Sequence, residues 1–419
     1  MALHDLGPFN LDARTMLLLR EGEIVKIPMK TVEVLLALLE RRGEIVTKDE
    51  LLKAAWPDSI VEEANLTVHV ALLRKTLGND APIETIPKRG YRLLASAPPP
   101  PSETASDRES REAILRGRYV WNKFTRTSLE QASSAFEKAL MLNPRSGEAH
   151  SGLSDTRLMQ GLFGFNPDRG VFTVARSHGE RAAELAAESA DAQASHAFSR
   201  LFDQFDFKGA EAALAKARAL APNRVEPHLW SAFFHALRGD AVKALAAAKD
   251  ATRIDPVSLK AAVGSGFHLY LSQQYEPDPE PLLRALELEP EFAVLHWALG
   301  LAYDRLSKFD LAESAHRAAV LHSGHSPTME STLAASLAAR GSRAEAATLL
   351  EKLKGEGLAP YRVATIEAGL GENARAISSI ERALAGRDPW LVVLKVDPML
   401  DAIRKDRRIA AVQREVLFG

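Results

Sequence analysis

The chain contains no cysteine. That single absence excludes disulfides, thiolate-held zinc, iron–sulfur clusters and a thiol nucleophile together. Long apolar runs are missing too. Val34–Leu39 and Ala293–Tyr303, the latter broken by His296, fall well short of the ~18 residues a membrane-spanning helix needs. The first residues, Met1-Ala2-Leu3-His4-Asp5, carry no basic segment followed by an apolar one, so no secretory leader is read and a cytoplasmic location is expected, without a membrane partner. Net charge is nearly absent, at −2 from 53 basic and 55 acidic side chains. A polyanion would feel no overall attraction, so any such binding must rest on where the charge sits.

Catalytic signatures are equally scarce. There is no Gly-x-x-x-x-Gly-Lys-Ser/Thr phosphate loop and no Gly-x-Ser-x-Gly elbow, and Gly264-Ser265-Gly266 lacks the surrounding pattern. His322 and His325 have metal-like spacing but read as a solvated turn between helices, and His228 and His235 read as packing residues. No carboxylate stands in an apolar setting that would mark it as an acid or base. The expectation is a protein that is not an enzyme and uses no cofactor or metal.

What is present is an ordinary globular composition, 46% apolar over 419 residues, enough for two to three domains at about 150 residues each. One break divides it. Residues 96–107, Ser-Ala-Pro-Pro-Pro-Pro-Ser-Glu-Thr-Ala-Ser-Asp, favour polyproline II and then flexible chain, which reads as a linker. Before it, residues 1–95 mix β-branched stretches with short amphipathic runs. After it, residues 108–388 are alanine-rich, and residues 389–419, with Asp388-Pro389 and Asp397-Pro398, suggest short capping helices.

The helical body repeats. Pro222, Pro256 and Pro290 are spaced by 34, the period of the tetratricopeptide helix–turn–helix unit. Other residues keep the phase: Ala132, Phe136, Ala139 and Pro144; Ala210, Leu214, Ala217 and Pro222; Ala244, Ala248, Ala251 and Pro256; Leu299-Gly300, Tyr303, Ala312 and Ala319; then Ala346 and Leu350, and Ala376, Ile380 and Ala383. Small residues let paired helices approach, and stacking supplies the core that one unit lacks. Thr127 with Glu130 suggests a capping box, and Asp206, Asp240 and Ser342 suggest N-caps. Residues 145–190, with the break Gly161–Pro167, fit poorly and read as an irregular repeat. Seven to eight helical pairs, forming an all-α superhelix with a concave face, are expected.

The head reads differently. Phe9–Asp12, Thr15–Leu19 and Ile24–Ile27 alternate as strands do. A helix follows with Val32, Leu35, Leu36 and Leu39 inward, ended by Arg41-Arg42-Gly43. Thr47 and Glu50 form a capping-box pattern before Leu51, Leu52 and Ala55. A third helix, about Glu63 to Leu77, carries Leu66, Val70, Leu73 and Leu77 on one stripe. Two strands, Ile83–Ile86 and Tyr91–Leu94, flank Lys88-Arg89-Gly90.

This order resembles the OmpR/PhoB-type winged helix–turn–helix. The matching residues are Glu50-Leu51-Leu52 with Trp56, Val61-Glu62-Glu63, Val68-His69-Val70, Leu73-Arg74-Lys75-Thr76-Leu77, Ile83-Glu84-Thr85 and Lys88-Arg89-Gly90-Tyr91-Arg92. The resemblance covers about residues 5–95 and implies a leading four-stranded sheet, a third helix in the DNA major groove and a hairpin wing at the minor groove. Charge agrees: residues 1–63 hold 8 basic and 12 acidic side chains, whereas residues 64–95 hold 5 and 2.

Candidate contacts to double-stranded DNA follow from chemistry. Asn65 and His69 suit base edges, Val68 a thymine methyl, and Thr67 and Leu72 lie on the same helix. Arg74, Lys75 and Thr47 suit phosphates, Trp56 either a phosphate or a packing role, Lys88 and Arg89 the narrow groove, and Tyr91 either core or phosphate. Ala71 and Leu72 depart from the polar or arginine residues common in the family, so specificity is expected to lean on methyl contacts, DNA shape or a homodimer on two half-sites. With only a few residues before the first strand, no phosphoacceptor domain is expected. The expected whole is a one-component regulator whose repeats take a protein, peptide or small ligand on the concave face. The alternative is an interaction scaffold whose winged helix binds protein.

Overall fold

In the computed structural model, residues 3–418 are described apart from 7, 14, 21–22, 26, 58–60, 62, 79–82, 95–104, 256–258 and 273–277. The proline run of the expected linker, Gly22, the loop at 58–60, Asn79-Asp80 and Pro256 therefore lie outside the described residues. The chain forms two compact units, residues 1–119 and 120–419. No helix among the described residues is long and apolar enough to cross a membrane.

Alternation at the start of the head produces an antiparallel sheet of β1 (Leu3–Leu6), β2 (Phe9–Asp12), β3 (Leu17–Arg20) and β4 (Glu23–Ile24), in that order. Leu11 faces Leu18 across the β2–β3 register, which sends Phe9, Leu11 and Leu18 into one core. β3 starts later than its apolar run suggests. The Asp12 carboxylate accepts the Thr15 amide at 3.2 Å and Met16 takes φ +55°, a turn that removes Thr15 from the strand. Then come α1 (Met29–Glu40), β5 (Val46–Thr47), α2 (Lys48–Ala55), α3 (Glu63–Leu77), β6 (Ile83–Ile86) and β7 (Gly90–Leu93). The last three strands form a second sheet, ordered β5-β7-β6. The inner face of α1 is broader than expected: Val34 and Leu38 are buried, whereas Leu36 only packs at the edge of the core.

Helix α4 (Ala105–Trp121) takes up the last three residues of the expected linker. In the second unit α5 (Arg126–Leu142) is followed by seven antiparallel pairs: α6 (Gly147–Leu162) with α7 (Gly170–Leu185), α8 (Ala190–Gln204) with α9 (Phe207–Leu220), α10 (Val225–Arg238) with α11 (Ala241–Ile254), α12 (Leu259–Ser272) with α13 (Glu280–Leu288), α14 (Ala293–Arg305) with α15 (Phe309–Ser323), α16 (Pro327–Ala339) with α17 (Arg343–Gly355), and α18 (Pro360–Gly369) with α19 (Asn373–Ala385). Every phase residue from Ala132 to Ala383 on α5, α9, α11, α15, α17 and α19 is buried. Close approach is what the small residues supply: a Cβ on Gly300 of α14 would lie 2.5 Å from the His316 ring of α15. This is a tetratricopeptide-like array.

Three details differ from the sequence reading. The capping box of α5 is Thr125 with Ser128, because Phe124 at φ +51° turns the chain into the helix two residues early. Ser342 holds the N-cap position of α17, but its hydroxyl accepts from Arg340 Nε instead of a helix amide. Residues 145–190 form a regular pair with a long connecting loop. That loop is ordered by distant partners: Ser326 and Thr328 hydroxyls donate to the carbonyls of Phe163 and Leu162.

The end of the chain does more than cap. Residues 387–404, with 3-10 helices at Pro389–Val393 and Pro398–Leu400, run across first helices of the pairs. Arg387 donates to the Gln204 carbonyl that ends α8, and Lys395 to the Arg238 carbonyl that ends α10. Asp397 accepts from Tyr270 of α12 and Tyr361 of α18, and Trp390 lies 3.7 Å beneath the Arg362 guanidinium. Leu391, Val392, Val393, Leu394 and Val396 join the main core. α20 (Arg407–Phe418) closes the chain against α19.

Candidate nucleic-acid interface

Apolar residues at three- and four-residue spacing make α3 amphipathic. Leu66, Val70, Leu73 and Leu77 are buried against α1 and α2, as the stripe predicted. The turned-out side therefore carries Asn65, Thr67, Val68, Ala71 and Lys75, all exposed, with Val68 64% open. Leu72 is half-buried. Thr67 donates back to the Glu63 carbonyl at 3.1 Å, so its proton is already engaged.

Two expected phosphate groups are occupied otherwise. The Thr47 hydroxyl and amide both donate to the Glu50 carboxylate at 2.7 Å, and the Glu50 amide returns a bond to the hydroxyl. These bonds, with Arg41 beside them, hold the Glu50 carboxyl at about 2. A phosphate arriving at the start of α2 would meet that carboxylate. Arg74 is turned toward the wing: Nε and Nη2 donate to the Ile83 carbonyl at 2.9 and 2.8 Å, and Nη2 to the Thr85 hydroxyl at 2.6 Å. Its guanidinium also lies over the Tyr91 ring.

Trp56 and His69 come together beside α2. Trp56 follows the last residue of α2, half-buried against the core, and its ring sits 5.2 Å from that of His69. His69 Nδ1 is engaged by Thr31 Oγ1 of α1 at 2.8 Å, and burial lowers its pKa, so the ring is neutral near pH 7.

In the wing, β6 and β7 pair with Thr85 opposite Tyr91 and Ile86 opposite Gly90. Lys88 adopts φ +61° at the tip, and Arg89 N donates to the Ile86 carbonyl, closing a tight turn that pushes both cations outward. Gly90 has no alternative, because a Cβ there would lie 2.0 Å from the Val46 carbonyl oxygen. Tyr91 is buried. Arg92 pairs with Glu84 and Lys48 with Glu63. Lys75, Lys88 and Arg89 make no ion pair among the described residues. Three unengaged cations thus lie on α3 and the wing tip. Sequence reasoning missed Thr31, whose signal was a polar residue within the apolar stripe of α1.

Residues 22–93 match the family described as transcriptional regulatory protein, C terminal. Among curated relatives, the transcriptional regulator HilA of Salmonella typhimurium is 42% identical over 94 residues, 21% of this chain and 17% of that protein. The transcriptional activator CadC of Escherichia coli is 32% identical over 101 residues, 23% of this chain and 19% of its own. The match thus spans less than a fifth of each relative. A solved thermophilic TPR protein of Thermus thermophilus is 18% identical, covering 54% of this chain and 98% of its own, with a TM-score of 0.32. The head of this chain is a winged helix–turn–helix domain of the OmpR/PhoB type, followed in sequence by a tetratricopeptide-like array.

Proposed function

We propose that the chain is a DNA-binding transcriptional regulator whose helical array takes a protein, peptide or small ligand that sets its activity. The observation that supports it is the set of unengaged cations Lys75, Lys88 and Arg89 on α3 and the wing tip, beside an exposed helix face. Cations fix the protein on phosphates, and Asn65 with Val68 faces the bases, an amide for adenine and methyls for thymine. Any ligand on the first-helix face of the array has to share it with residues 387–404. The test is selection of duplexes from a random pool by the full chain, repeated with Lys75, Lys88 and Arg89 all changed to alanine. An enriched sequence lost in the triple variant is the expected result.

The 64% exposure of Val68 favours a second reading, a head that docks protein. No enrichment over the starting pool would select it.

A further inference from the structure

Thr31 is fully buried on the inner face of α1, among Val32, Val34, Leu35 and Leu38. A hydroxyl there has to place its proton on an acceptor or lose about 1–3 kcal/mol. Its partner is His69 Nδ1, 2.8 Å away on α3. The alternative, Nδ1–H donating to the hydroxyl, leaves the hydroxyl proton buried with no other acceptor bonded to it among the described residues. The bond therefore runs from Thr31 Oγ1 to Nδ1, and the ring proton sits on Nε2.

Trp56 flanks the ring, the two centroids 5.2 Å apart. Nε2 makes no hydrogen bond among the described residues, nor is it among their buried unpartnered atoms. His69 follows Val68, the most exposed large apolar residue of α3, and lies on the flank toward α1 and Trp56, off the helix centre line. A donor on the flank of a helix in the major groove meets the sugar–phosphate wall before it meets a base.

Resting on the DNA-binding reading above, we propose that Thr31 is a positioning residue: it fixes His69 as a neutral Nε2–H donor to a phosphate oxygen of the duplex. A neutral donor releases no counterion. Its loss lowers affinity on every sequence while leaving the salt dependence unchanged, the opposite signature to a lysine or arginine contact.

The experiment uses the full chain with a pool-selected duplex and a scrambled duplex of equal composition. Thr31→Val keeps the shape of the buried side chain and removes only its proton, so the fold is retained. Thr31→Ser restores the hydroxyl. Ring-nitrogen NMR shifts report which nitrogen of His69 carries the proton. The expected result is a His69 proton on Nε2 in the wild type and in Thr31→Ser, and an Nδ1 resonance in Thr31→Val moved to the position of a nitrogen that accepts no hydrogen bond. Affinity should fall ~3–10-fold in His69→Phe and by a smaller factor in Thr31→Val, equally on both duplexes and with the salt slope unchanged. A wild-type proton on Nδ1, an Nδ1 resonance that Thr31→Val leaves unmoved, or affinity untouched by both changes overturns the proposal. A loss confined to the selected duplex assigns His69 to a base edge and overturns the phosphate assignment. If the wild-type chain binds neither duplex, the DNA-binding reading itself fails and this inference falls with it.

Discussion

Changing Arg74 to alanine separates a residue that shapes the wing from one that touches phosphate. The guanidinium makes three bonds, two to the Ile83 carbonyl and one to the Thr85 hydroxyl, which tie α3 to β6. They are charge-assisted but lie at an exposed position, so their loss should lower the stability of the head by about 1–2 kcal/mol. The loosened wing should then weaken the proposed binding to any duplex. Each true phosphate contact contributes about 0.9 to the slope of log K against log salt. Anisotropy titrations of the full chain between about 50 and 200 mM salt should give Arg74→Ala the wild-type slope. Lys75→Ala, Lys88→Ala and Arg89→Ala should each flatten it by about 0.9 with the unfolding midpoint unmoved. An Arg74→Ala variant with wild-type stability and a slope lower by about 1 would refute the assignment.

Gly90→Ala forces a Cβ to 2.0 Å from the Val46 carbonyl and should destabilise the head by about 3 kcal/mol, seen as an early transition in urea unfolding. Asp397→Ala leaves the hydroxyls of Tyr270 and Tyr361 buried without their acceptor. It should cost the array roughly 2–4 kcal/mol, whereas an unchanged thermal midpoint would contradict that bond pair. His178 is held at about 4, first by burial and then by the nearby His150 and Arg157. The unfolded chain therefore takes up this proton first, and stability falls as pH drops from about 6.5 toward 4. His150 Nε2–H donates to the Pro144 carbonyl, so its Nδ1 accepts from His178. His178→Phe should flatten the fall in urea midpoint between about pH 7 and 5; the same pH curve in both proteins would count against it.

Periodicity makes much of this structure legible. The limits of α3 and its stripe at 66, 70, 73 and 77 follow from local spacing alone, and so does the alanine phase of the array. Contacts between distant segments leave no such trace. Arg74 and Lys75 are alike as sequence, yet only Arg74 finds a carbonyl, nine residues on in β6. Thr31 and His69 are 38 residues apart, and Tyr270 and Asp397 are 127 apart. One regular signal is visible in the sequence only once the structure gives it a meaning. His150, His228 and His296 each bond the carbonyl of the proline six residues earlier, at Pro144, Pro222 and Pro290, fastening the turns between units. His228 therefore has a bonding role as well as a packing one.

An open solenoid can gain or lose a unit and only the neighbours notice. This one is fastened along its length. Its closing segment measures off α8, α10, α12 and α18 with Arg387, Lys395 and Asp397. A unit inserted between α10 and α12 would carry the Arg238 carbonyl away from Lys395 by roughly the 10 Å width of a helix. The spacing of the units from α8 to α18 is thereby measured by the chain itself, and duplication or deletion of a unit between them would break these bonds unless the closing segment changed in step.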